Sequence, residues 1–544
     1  MPSEAAELAS QIKGEFDAIV VGAGFGGLYA LYRLRKDGYR VKVLEAAADI
    51  GGTWYFNRYP GARCDIESMS YSYSFSDKLQ QEWEWSERYA AQPEILKYIN
   101  HVADRFDLRP HIQFDTRVTR VLYDDAEGRW LIETEAGEVF AARFCVLAAG
   151  CLSVPQKPEV KGLDNFKGDW YHTGFWPHEN VDFTDQRVGV IGTGSSGIQA
   201  IPIMAEQARH LSVFQRTPNY SIPAWNRPLG SDIVAEWKAR YAEIRERART
   251  GQAGVGFEPR VCAAMEISRE EQLHELERRW QHGGLVMWET FTDVLSDERA
   301  NAIAADFVRE KIRAMVEDPE IADLLCPKGY PYGAKRICVD TNYYRTFNRD
   351  NVSLVDIAAD PIREVTLTGL RTGDKEFELD ALVFATGFDA MTGPILRIDI
   401  RGRGGVSLRD KWSDGPHTYL GLMVAGFPNM FIVAGPGSPS VLSNMVVSIE
   451  QHVDWLADCL AHLKAQGLDS VEPTQEAEDE WTNHCNQRAS ETLFPRANSW
   501  YMGANIPGKP RVFMPYLGGV GHYREICDEI AAKDYDGFAM SVQG

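Results

Sequence analysis

Two stretches of the chain repeat the same order of hydrophobic and polar positions. Each has a short apolar run, a glycine-rich turn and then an apolar pattern of helical period: residues 17–34 (DAIVVGAGFGGLYALYRL) and residues 187–204 (RVGVIGTGSSGIQAIPIM). The pattern predicts buried strands at Asp17–Val21 and Arg187–Ile191, each leading directly into a helix. Another apolar run, Val41–Leu44, predicts a second strand in the first unit. We therefore expect an α/β fold with two Rossmann-like units.

Four other segments read as strands. Ala142–Gly150 and Leu379–Asp389 are apolar runs that end in small-residue turns, and we expect the chain to cross between the two units there. Phe427–Ser438 predicts a strand that enters a glycine-proline loop. Gly128–Ala142 alternates between polar and apolar residues around Ala-Gly, which indicates a hairpin.

The character of the chain changes between Arg216 and Lys335, where charged residues follow a helical period. Three helix-like segments each open with a serine suited to an N-cap: Ser231, Ser268 and Ser296. We predict a helical insertion over residues 224–332, with its charged runs on solvated faces.

The glycines of the first unit form the pattern G-x-G-x-x-G through Gly22, Gly24 and Gly27, and the following strand ends on Glu45. Glycines permit a tight turn and let the backbone approach a pyrophosphate, while the helix N-terminus supplies partial positive charge. A carboxylate at Glu45 can accept hydrogen bonds from ribose hydroxyls. A glycine turn in an ordinary βαβ unit is the alternative. The combination of strand, helix and acid favours a dinucleotide site.

The second unit lacks that acid. Its motif consists of Gly192, Thr193, Gly194 and Gly197. The residue equivalent to Glu45, counted from the first glycine, is Gln215, and Arg216 and Thr217 follow. A carboxylate there would repel a 2′-phosphate, whereas the guanidinium of Arg216 can bind it in a bidentate manner. The first site thus suits FAD and the second NADPH, although Arg216 could also be a solvated surface charge.

Composition narrows the possible partners. The net charge of −21 argues against a nucleic-acid partner, which requires a basic surface. No stretch has the roughly eighteen consecutive apolar residues of a membrane helix, and the N-terminus lacks the apolar segment of a signal peptide. The nine cysteines have no metal-ligand spacing, so we predict no metal site. We expect a cytoplasmic monomer with reduced thiols that binds neither nucleic acid nor membranes.

Three motifs resemble one enzyme family, the type I Baeyer–Villiger monooxygenases. Residues 166–177 (FKGDWYHTGFWP) are similar to its fingerprint F-x-G-x-x-x-H-x-x-x-W-P. Residues 51–65 (GGTWYFNRYPGARCD) resemble its second signature, and residues 330–336 (YPYGAKR) resemble the segment that carries its active-site arginine. The resemblance extends from Gly22 to residues 498–510. The loop 435–445 looks most like that of phenylacetone and steroid monooxygenases.

The resemblance implies a reaction with two cofactors, O2 and a small-molecule ketone. NADPH reduces FAD, the reduced flavin captures O2 as a C4a-peroxide, and the peroxide attacks the ketone carbonyl to give an ester or lactone. Sulfoxidation is an expected side activity. Arg336 is the expected catalytic residue, because a permanent cation stabilises both the peroxide anion and the adduct. Asp65 is its expected partner, and Lys335 would bind the 2′-phosphate together with Arg216 and Thr217. A structural salt bridge is the alternative role for Arg336.

The resemblance also places other residues. Around the flavin it implies Thr53, Trp54, Tyr55, Phe56, Tyr71 and, on the far side, Met445. Trp500 is expected to move with a mobile loop and to hydrogen-bond the nicotinamide ribose, and Val441 and Leu442 are candidates for the ketone pocket. Simple packing is the alternative for each of these. The fingerprint comprises Phe166, Gly168, His172, Trp176 and Pro177. From its position between the two units, we predict that His172 and Trp176 hold and transmit the domain arrangement.

These expectations define a discontinuous FAD-binding domain. Its first part is residues 1–150, and its second part, with the C-terminal loop, is residues 387–544. Residues 151–223 and 333–386 form the NADP-binding domain around the insertion.

Three other functions compete with this one. A flavin monooxygenase that oxygenates soft nitrogen or sulfur atoms would share both glycine motifs but usually lacks the terminal Trp-Pro and the Lys335–Arg336 pair. A flavin disulfide reductase would need a redox CxxC or CxxxxC pair, which the sequence lacks. A dinucleotide-binding redox sensor would not need Arg336 and Asp65 together with a pocket loop.

Overall fold

Two sheets, each with a glycine-rich turn after a central strand, organise the computed structural model, which describes residues 4–256 and 262–542. The strands of the described residues are β1 (Ile12–Val21), β2 (Val41–Leu44), β3 (Ile112–Gln113), β4 (Val118–Asp124), β5 (Arg129–Thr134), β6 (Val139–Leu147), β7 (Asp169–His172), β8 (Arg187–Ile191), β9 (His210–Gln215), β10 (Ser221–Pro223), β11 (Cys338–Asp340), β12 (Val352–Asp356), β13 (Glu364–Thr366), β14 (Gly369–Arg371), β15 (Glu376–Glu378), β16 (Ala381–Phe384), β17 (Asp399–Arg401), β18 (Met430–Ile432), β19 (Ser470–Pro473) and β20 (Phe538–Ser541).

The helices cover these sheets and fill the central part of the chain. They are α1 (Glu4–Ala9), α2 (Phe25–Lys36), α3 (Thr53–Phe56), α4 (Asp77–Glu82), α5 (Gln92–Arg105), α6 (Ser195–Gln207), α7 (Ser231–Ala239), α8 (Tyr241–Thr250), α9 (Arg269–His282), α10 (Glu298–Met315), α11 (Pro319–Leu325), α12 (Tyr343–Thr346), α13 (Gly393–Leu396), α14 (Leu408–Lys411), α15 (Met445–Gln466), α16 (Gln475–Ser490) and α17 (Val520–Ala532). No helix of the described residues is long and apolar enough to cross a bilayer.

The first sheet has the order β17-β4-β5-β6-β1-β2-β3, and β18 also pairs with β6. Strands β1, β2 and β6 run parallel, whereas β5 is antiparallel to both of its neighbours. The inner strands are apolar because both faces of the sheet are buried. One face packs against helices in the main hydrophobic core, and the other packs in a second hydrophobic core. Two strands of this sheet, β17 and β18, come from beyond residue 390. The sheet is therefore built from two distant parts of the chain.

The second sheet has the order β12-β9-β8-β16-β7, with every pair parallel. Both sheets place a glycine turn and a helix directly after a central strand, β1 followed by α2 and β8 followed by α6. The predicted α/β fold with two dinucleotide-binding units is confirmed. Strands β2 and β8 have the predicted bounds, while β1 begins five residues earlier than Asp17, at Ile12.

Helices α7 to α11 lie between β10 and β11 along the chain, within the residues where the insertion is predicted. Ser268 caps α9 through a capping box with Glu271. Two predicted caps are wrong: Ser231 is already the first residue of α7, and Asp297 rather than Ser296 caps α10. In the second case the carboxylate of Asp297 accepts the free backbone N–H groups, because a carboxylate binds the positive helix end more strongly than a hydroxyl. The division into FAD-binding, NADP-binding and inserted segments stays a proposal. Residues 1–3, 257–261 and 543–544 of these segments lie outside the described ranges.

Candidate active site

The turn after β1 is shaped by backbone contacts that leave no room for side chains. Gly22 has φ +104, and a Cβ on Gly27 would lie 1.8 Å from the Gly22 carbonyl oxygen. Gly24 faces the second signature, since a Cβ on Gly52 would lie 3.0 Å from the Gly24 Cα. The two predicted motifs thus meet backbone to backbone. The close backbone and the start of α2 form a cradle that fits the pyrophosphate of FAD.

Glu45 closes this cradle at the end of β2. Its carboxylate accepts hydrogen bonds from the backbone N–H of Ala23 at 2.6 Å and of Ala47 at 2.8 Å. Burial raises the pKa of Glu45, and these two backbone donors oppose that rise. The side chain is therefore fixed beside the turn, where its remaining lone pairs can accept hydrogen bonds from ribose hydroxyls.

The turn after β8 has the same backbone form, and the space beside Gly194 is open. Gly192 has φ +108, a Cβ on Gly197 would lie 2.2 Å from the Gly192 carbonyl oxygen, and a Cβ on Gly194 would meet no described atom within 4 Å. Buried Thr193 donates its hydroxyl hydrogen bond to the Thr217 carbonyl at 3.2 Å. This bond ties the turn to the segment that follows β9, so both parts of the predicted NADP site are held together.

Two cations stand near this turn. Arg216 is exposed directly after β9, and the Lys335 ammonium lies 4.6 Å from the centre of the Tyr330 ring. Burial and the neighbouring Arg216 charge lower the pKa of Lys335. An anion bound by both residues would relieve their repulsion. Residues 193, 194, 216, 217 and 335 together therefore fit a nucleotide that carries a 2′-phosphate.

Arg336 and Asp65 form a two-pronged ion pair. The Arg336 Nε donates to Asp65 Oδ2 at 2.7 Å and Nη2 donates to Oδ1 at 2.8 Å, while Nη1 donates to the Val441 carbonyl at 2.6 Å. Burial opposes the charge on Arg336, but the Asp65 carboxylate outweighs it and raises the pKa of Arg336 above its ordinary value. The guanidinium is thus a permanent cation held in one orientation by two separate segments.

The position of Asp65 depends on a contact that sequence reasoning missed. Gln199 on α6 accepts a hydrogen bond from the Tyr59 hydroxyl at 2.8 Å and donates one to the Arg63 carbonyl at 3.1 Å. Between them, a Cβ on Gly61 would lie 2.4 Å from the Gln199 carbonyl oxygen. The second half of the second signature therefore rests on the helix of the second unit. No local pattern marks Gln199, because the segment that it binds is distant in sequence.

A small cavity adjoins Arg336. Its walls combine the segment after Asp65, the insertion and the loop before α15: Ile66, Ala253, Val255, Leu285, Trp288, Glu289, Arg336, Leu442 and Ser443. Of the two predicted pocket residues, Leu442 lines the cavity. Val441 is not among the lining residues, and it contributes the carbonyl that holds Arg336. Sequence reasoning missed the insertion's wall, although the apolar run GLVMWE at Gly284–Glu289 is unusual in that charged region.

The residues expected around the flavin lie close to the first turn. Thr53 to Phe56 form the short helix α3 that begins after Gly52. The Trp54 indole donates to the Tyr71 hydroxyl at 3.2 Å, and the Tyr55 ring packs on Phe56 and His178. Met445 is the first residue of α15, next to the cavity wall at Leu442. Thr53 is exposed, whereas Trp54 and Tyr71 are buried.

His172, in the fingerprint, lies where the chain crosses between the two units. It ends β7, which pairs with β16, and its Nε2 lies 3.0 Å from the Thr386 hydroxyl. The Gly174 N–H donates to His172 Nδ1 at 3.0 Å, and Thr386 donates to the Gln156 carbonyl at 3.1 Å. Nε2 must therefore carry the proton. Burial lowers the pKa of His172 to about 4, which keeps the ring neutral.

The other fingerprint residues pack within the second unit. The Trp176 ring lies 5.2 Å from that of Tyr171 and 6.2 Å from that of Phe183, so it belongs to the core. A Cβ on Gly168 would lie 2.2 Å from the Asp380 carbonyl oxygen and would also collide with Phe166. Pro177 follows Trp176 and is half-buried. The structure thus places His172 beside Thr386 on the crossing segment and Trp176 among the rings of Tyr171 and Phe183.

The C-terminal segment contacts the same crossing. Lys509 pairs with Asp389 at 2.7 Å and also donates to the Ala390 carbonyl, and Asn505 donates to the Phe388 carbonyl at 2.7 Å. Half-buried Trp500 precedes these residues and begins a short 3₁₀ turn, Trp500–Met502. The segment therefore packs against residues 388–390.

Comparison with known proteins places the chain among characterised enzymes. Residues 19–253 match the family model described as pyridine nucleotide-disulphide oxidoreductase. A Baeyer-Villiger monooxygenase of Pseudooceanicola batsensis is 45% identical over 97% of both chains. An acetone monooxygenase (methyl acetate-forming) of Gordonia sp. strain TY-5 is 42% identical, over 96% of this chain and 99% of its own. The solved structure of an oxidized steroid monooxygenase bound to NADP has a TM-score of 0.94 and 54% identity, over 97% of this chain and all of its own.

Proposed function

The chain belongs to the FAD- and NADPH-dependent Baeyer–Villiger monooxygenases, and from this premise we propose that Arg336, held by Asp65, stabilises negative charge during oxygen insertion beside a ketone carbonyl. The observation that carries the proposal is the bidentate Arg336–Asp65 pair at the edge of an apolar cavity. When bound, FAD reduced by NADPH supplies the activated oxygen from O2. The protein's side chains must stabilise the developing negative charge and exclude water from the site.

Addition of a nucleophile to the ketone puts negative charge on the carbonyl oxygen. Arg336 has two N–H groups beyond those donated to Asp65 and Val441, and one of these can donate to that oxygen. Asp65 and the Val441 carbonyl keep the guanidinium from reorienting, so the cation is in place before the charge develops. The apolar walls formed by Leu285, Trp288 and Leu442 exclude water, which strengthens this interaction.

The cofactors divide between the two units in our proposal. The turn at residues 22–27, with Glu45, α3, Tyr71 and Met445, holds FAD. The turn at residues 192–197, with Arg216, Thr217 and Lys335, holds NADPH, and Trp500 hydrogen-bonds the nicotinamide ribose. The protein acts as a monomer, for which light scattering after size exclusion is the measurement.

The cavity favours compact ketones. Its walls leave little free space beside Arg336, and among the lining residues the strongly polar side chains are Arg336, Glu289 and Ser443. The acetone monooxygenase named above acts on a small ketone, and we extend that class to this chain. Short-chain and single-ring ketones are the proposed substrates, in preference to tetracyclic ones.

The decisive experiment uses the purified holoenzyme with NADPH, O2 and a ketone panel from acetone through single-ring ketones to a steroid. Product analysis is expected to find esters or lactones from the compact ketones. NADPH oxidation that yields only hydrogen peroxide with every ketone would contradict the function. Ester formed from the steroid alone would contradict the substrate class and leave the reaction type intact.

His172 has a separate proposed role, to hold the crossing segment through Thr386. His172→Ala is expected to slow turnover severalfold while flavin remains bound, because the ring touches Thr386 and Gly174 and no predicted flavin residue. Loss of flavin, measured as the ratio of flavin to protein absorbance, would show that the histidine acts elsewhere.

A further inference from the structure

Tyr501 is buried completely beside the C-terminal 3₁₀ turn. Its ring packs against those of Trp500 at 4.2 Å, Phe494 at 5.9 Å and Phe513 at 6.0 Å. Its carbonyl accepts the Met514 N–H at 3.0 Å, which joins both ends of the segment. These contacts fix the ring and therefore fix the direction in which its hydroxyl points.

The Tyr501 hydroxyl lies within interaction distance of the Arg336 guanidinium, and each group affects the charge of the other. Within residues 4–256 and 262–542 the Tyr501 oxygen is nevertheless one of the buried polar atoms without a hydrogen-bond partner of good geometry. A buried hydroxyl without a partner is unfavourable, so a partner is expected in the working enzyme.

Arg336 has the matching capacity. A guanidinium carries five N–H groups, and three of them are donated to Asp65 and Val441. Burial raises the pKa of Tyr501 to about 12, so the phenol stays neutral and offers its oxygen lone pairs to a cation. Tyr501 is therefore an acceptor placed beside a donor that has N–H groups to spare.

We propose that Tyr501 is a positioning residue for Arg336, whose hydroxyl oxygen accepts one of the remaining guanidinium N–H bonds and so ties the orientation of the arginine to the folded C-terminal segment. This inference rests on the proposed role of Arg336. It adds a third support to the guanidinium, after Asp65 and the Val441 carbonyl. It also gives the segment that carries Trp500 a direct connection to the residue that stabilises charge.

Tyr501→Phe tests the hydroxyl alone, because phenylalanine preserves the ring contacts. The holoenzyme variant is assayed with NADPH and a ketone that the wild type converts, and ester and hydrogen peroxide are measured per NADPH consumed. The ester yield per NADPH is expected to fall by about tenfold, the effect of losing one hydrogen bond to a charged group. Hydrogen peroxide should rise correspondingly, while NADPH consumption stays within about twofold.

Tyr516→Phe is the matched control. Tyr516 is also buried and its hydroxyl also lacks a partner among the described residues, but it packs on Trp481 and not on Arg336. Its removal is expected to leave the ester yield per NADPH unchanged. An unchanged yield in Tyr501→Phe, or an equal fall in both variants, would overturn the inference.

A crystal structure of the Tyr501→Phe holoenzyme supplies a readout independent of turnover. Arg336 is expected in more than one orientation, and a single orientation identical to that of the wild type would overturn the proposal. Arg336→Ala in the same assay distinguishes failure of the proposed role of Arg336 from failure of the proposed role of Tyr501. If Arg336→Ala still forms ester, the proposed role of Arg336 fails. If Arg336→Ala forms none while Tyr501→Phe behaves like wild type, only the role of Tyr501 fails.

Discussion

At the residue scale, the active site is organised around one cation that two other parts of the chain hold. Asp65 takes two N–H groups of Arg336 and the Val441 carbonyl takes a third. An arginine suits this role better than a lysine, because its planar fork can bind a carboxylate on one edge and still offer donors on another. The charge is also independent of pH in the working range, since Asp65 raises the pKa of Arg336 further.

Arg336→Ala is expected to abolish ester formation while flavin binding and flavin reduction by NADPH persist. The loss should exceed roughly a hundredfold, because removing one preorganised charge stabiliser costs about 3 kcal/mol in the transition state. Stopped-flow absorbance measures flavin reduction, and product analysis measures ester. A variant that forms ester at the wild-type rate would disprove the assignment.

Arg216→Ala addresses the second cation site. The KM for NADPH should rise by about tenfold or more, whereas the KM for NADH should hardly change, because only NADPH carries the 2′-phosphate. Arg209→Ala is a suitable control, since Arg209 is an exposed arginine just before the opposite end of β9. Equal changes for both nucleotides would argue that Arg216 is an ordinary surface charge.

At the element scale, the contact between residues 59–65 and α6 connects the two sheets. Gly61 makes this contact possible, because its φ is +80 and a Cβ would lie 2.4 Å from the Gln199 carbonyl oxygen. The segment carries Asp65, and α6 begins at the predicted NADP turn. The helix that faces one cofactor therefore supports the residue that orients Arg336.

Gly61→Ala is expected to lower kcat/KM for NADPH by roughly tenfold or more, since ångström-scale displacement in an active site is costly. Gly137→Ala is the matched control. Gly137 has φ +78, and a Cβ there would meet nothing within 4 Å, so it introduces backbone strain without a collision. Both variants should lose some stability through the strain, about 1 kcal/mol. If steady-state kinetics change equally in both, strain alone explains the effect.

Local patterns in the sequence were sufficient for the glycine turns and for some of the strands, but not for every strand, helix start or site residue. Strands β2 and β8 and both glycine turns follow from apolar runs and from residues that only those turns tolerate. Ser231 and Ser296 were wrong as caps because Gly230 and Asp297, their neighbours, compete for the same position. Gln199, Tyr501 and the wall at Gly284–Glu289 were missed because their partners are distant in sequence. Those contacts arise only when both sheets are packed.

At the scale of the whole molecule, buried histidines make the fold sensitive to acid. His452 on α15 accepts the Ala434 N–H at 2.9 Å through Nδ1, and the ring packs on Tyr523. Burial lowers the pKa of His452 to about 3, against 6.5 in the unfolded chain. Below pH 6.5 the histidine is protonated in the unfolded state but stays neutral in the folded state. Stability is therefore lost progressively as the pH falls from about 6.5 toward about 3.

His452→Asn is expected to weaken this dependence, because an asparagine oxygen can accept the Ala434 N–H but does not titrate. The measurement is Tm between pH 7 and pH 4.5, where one such group changes stability by up to about 1.4 kcal/mol per pH unit. The wild type should lose more of its Tm than the variant over that range. Parallel curves would show that other groups govern the acid sensitivity.

The packing of residues 59–65 on α6 restricts how this chain can be recombined with its relatives. A hybrid that exchanges the second sheet alone would place a foreign helix against the native segment, and the close contact between Gly61 and Gln199 would be lost. The pair of Arg336 and Asp65 would then be displaced even with every catalytic residue present. Functional hybrids should therefore be found where residues 59–65, α6 and the segment of Arg336 are inherited from one parent.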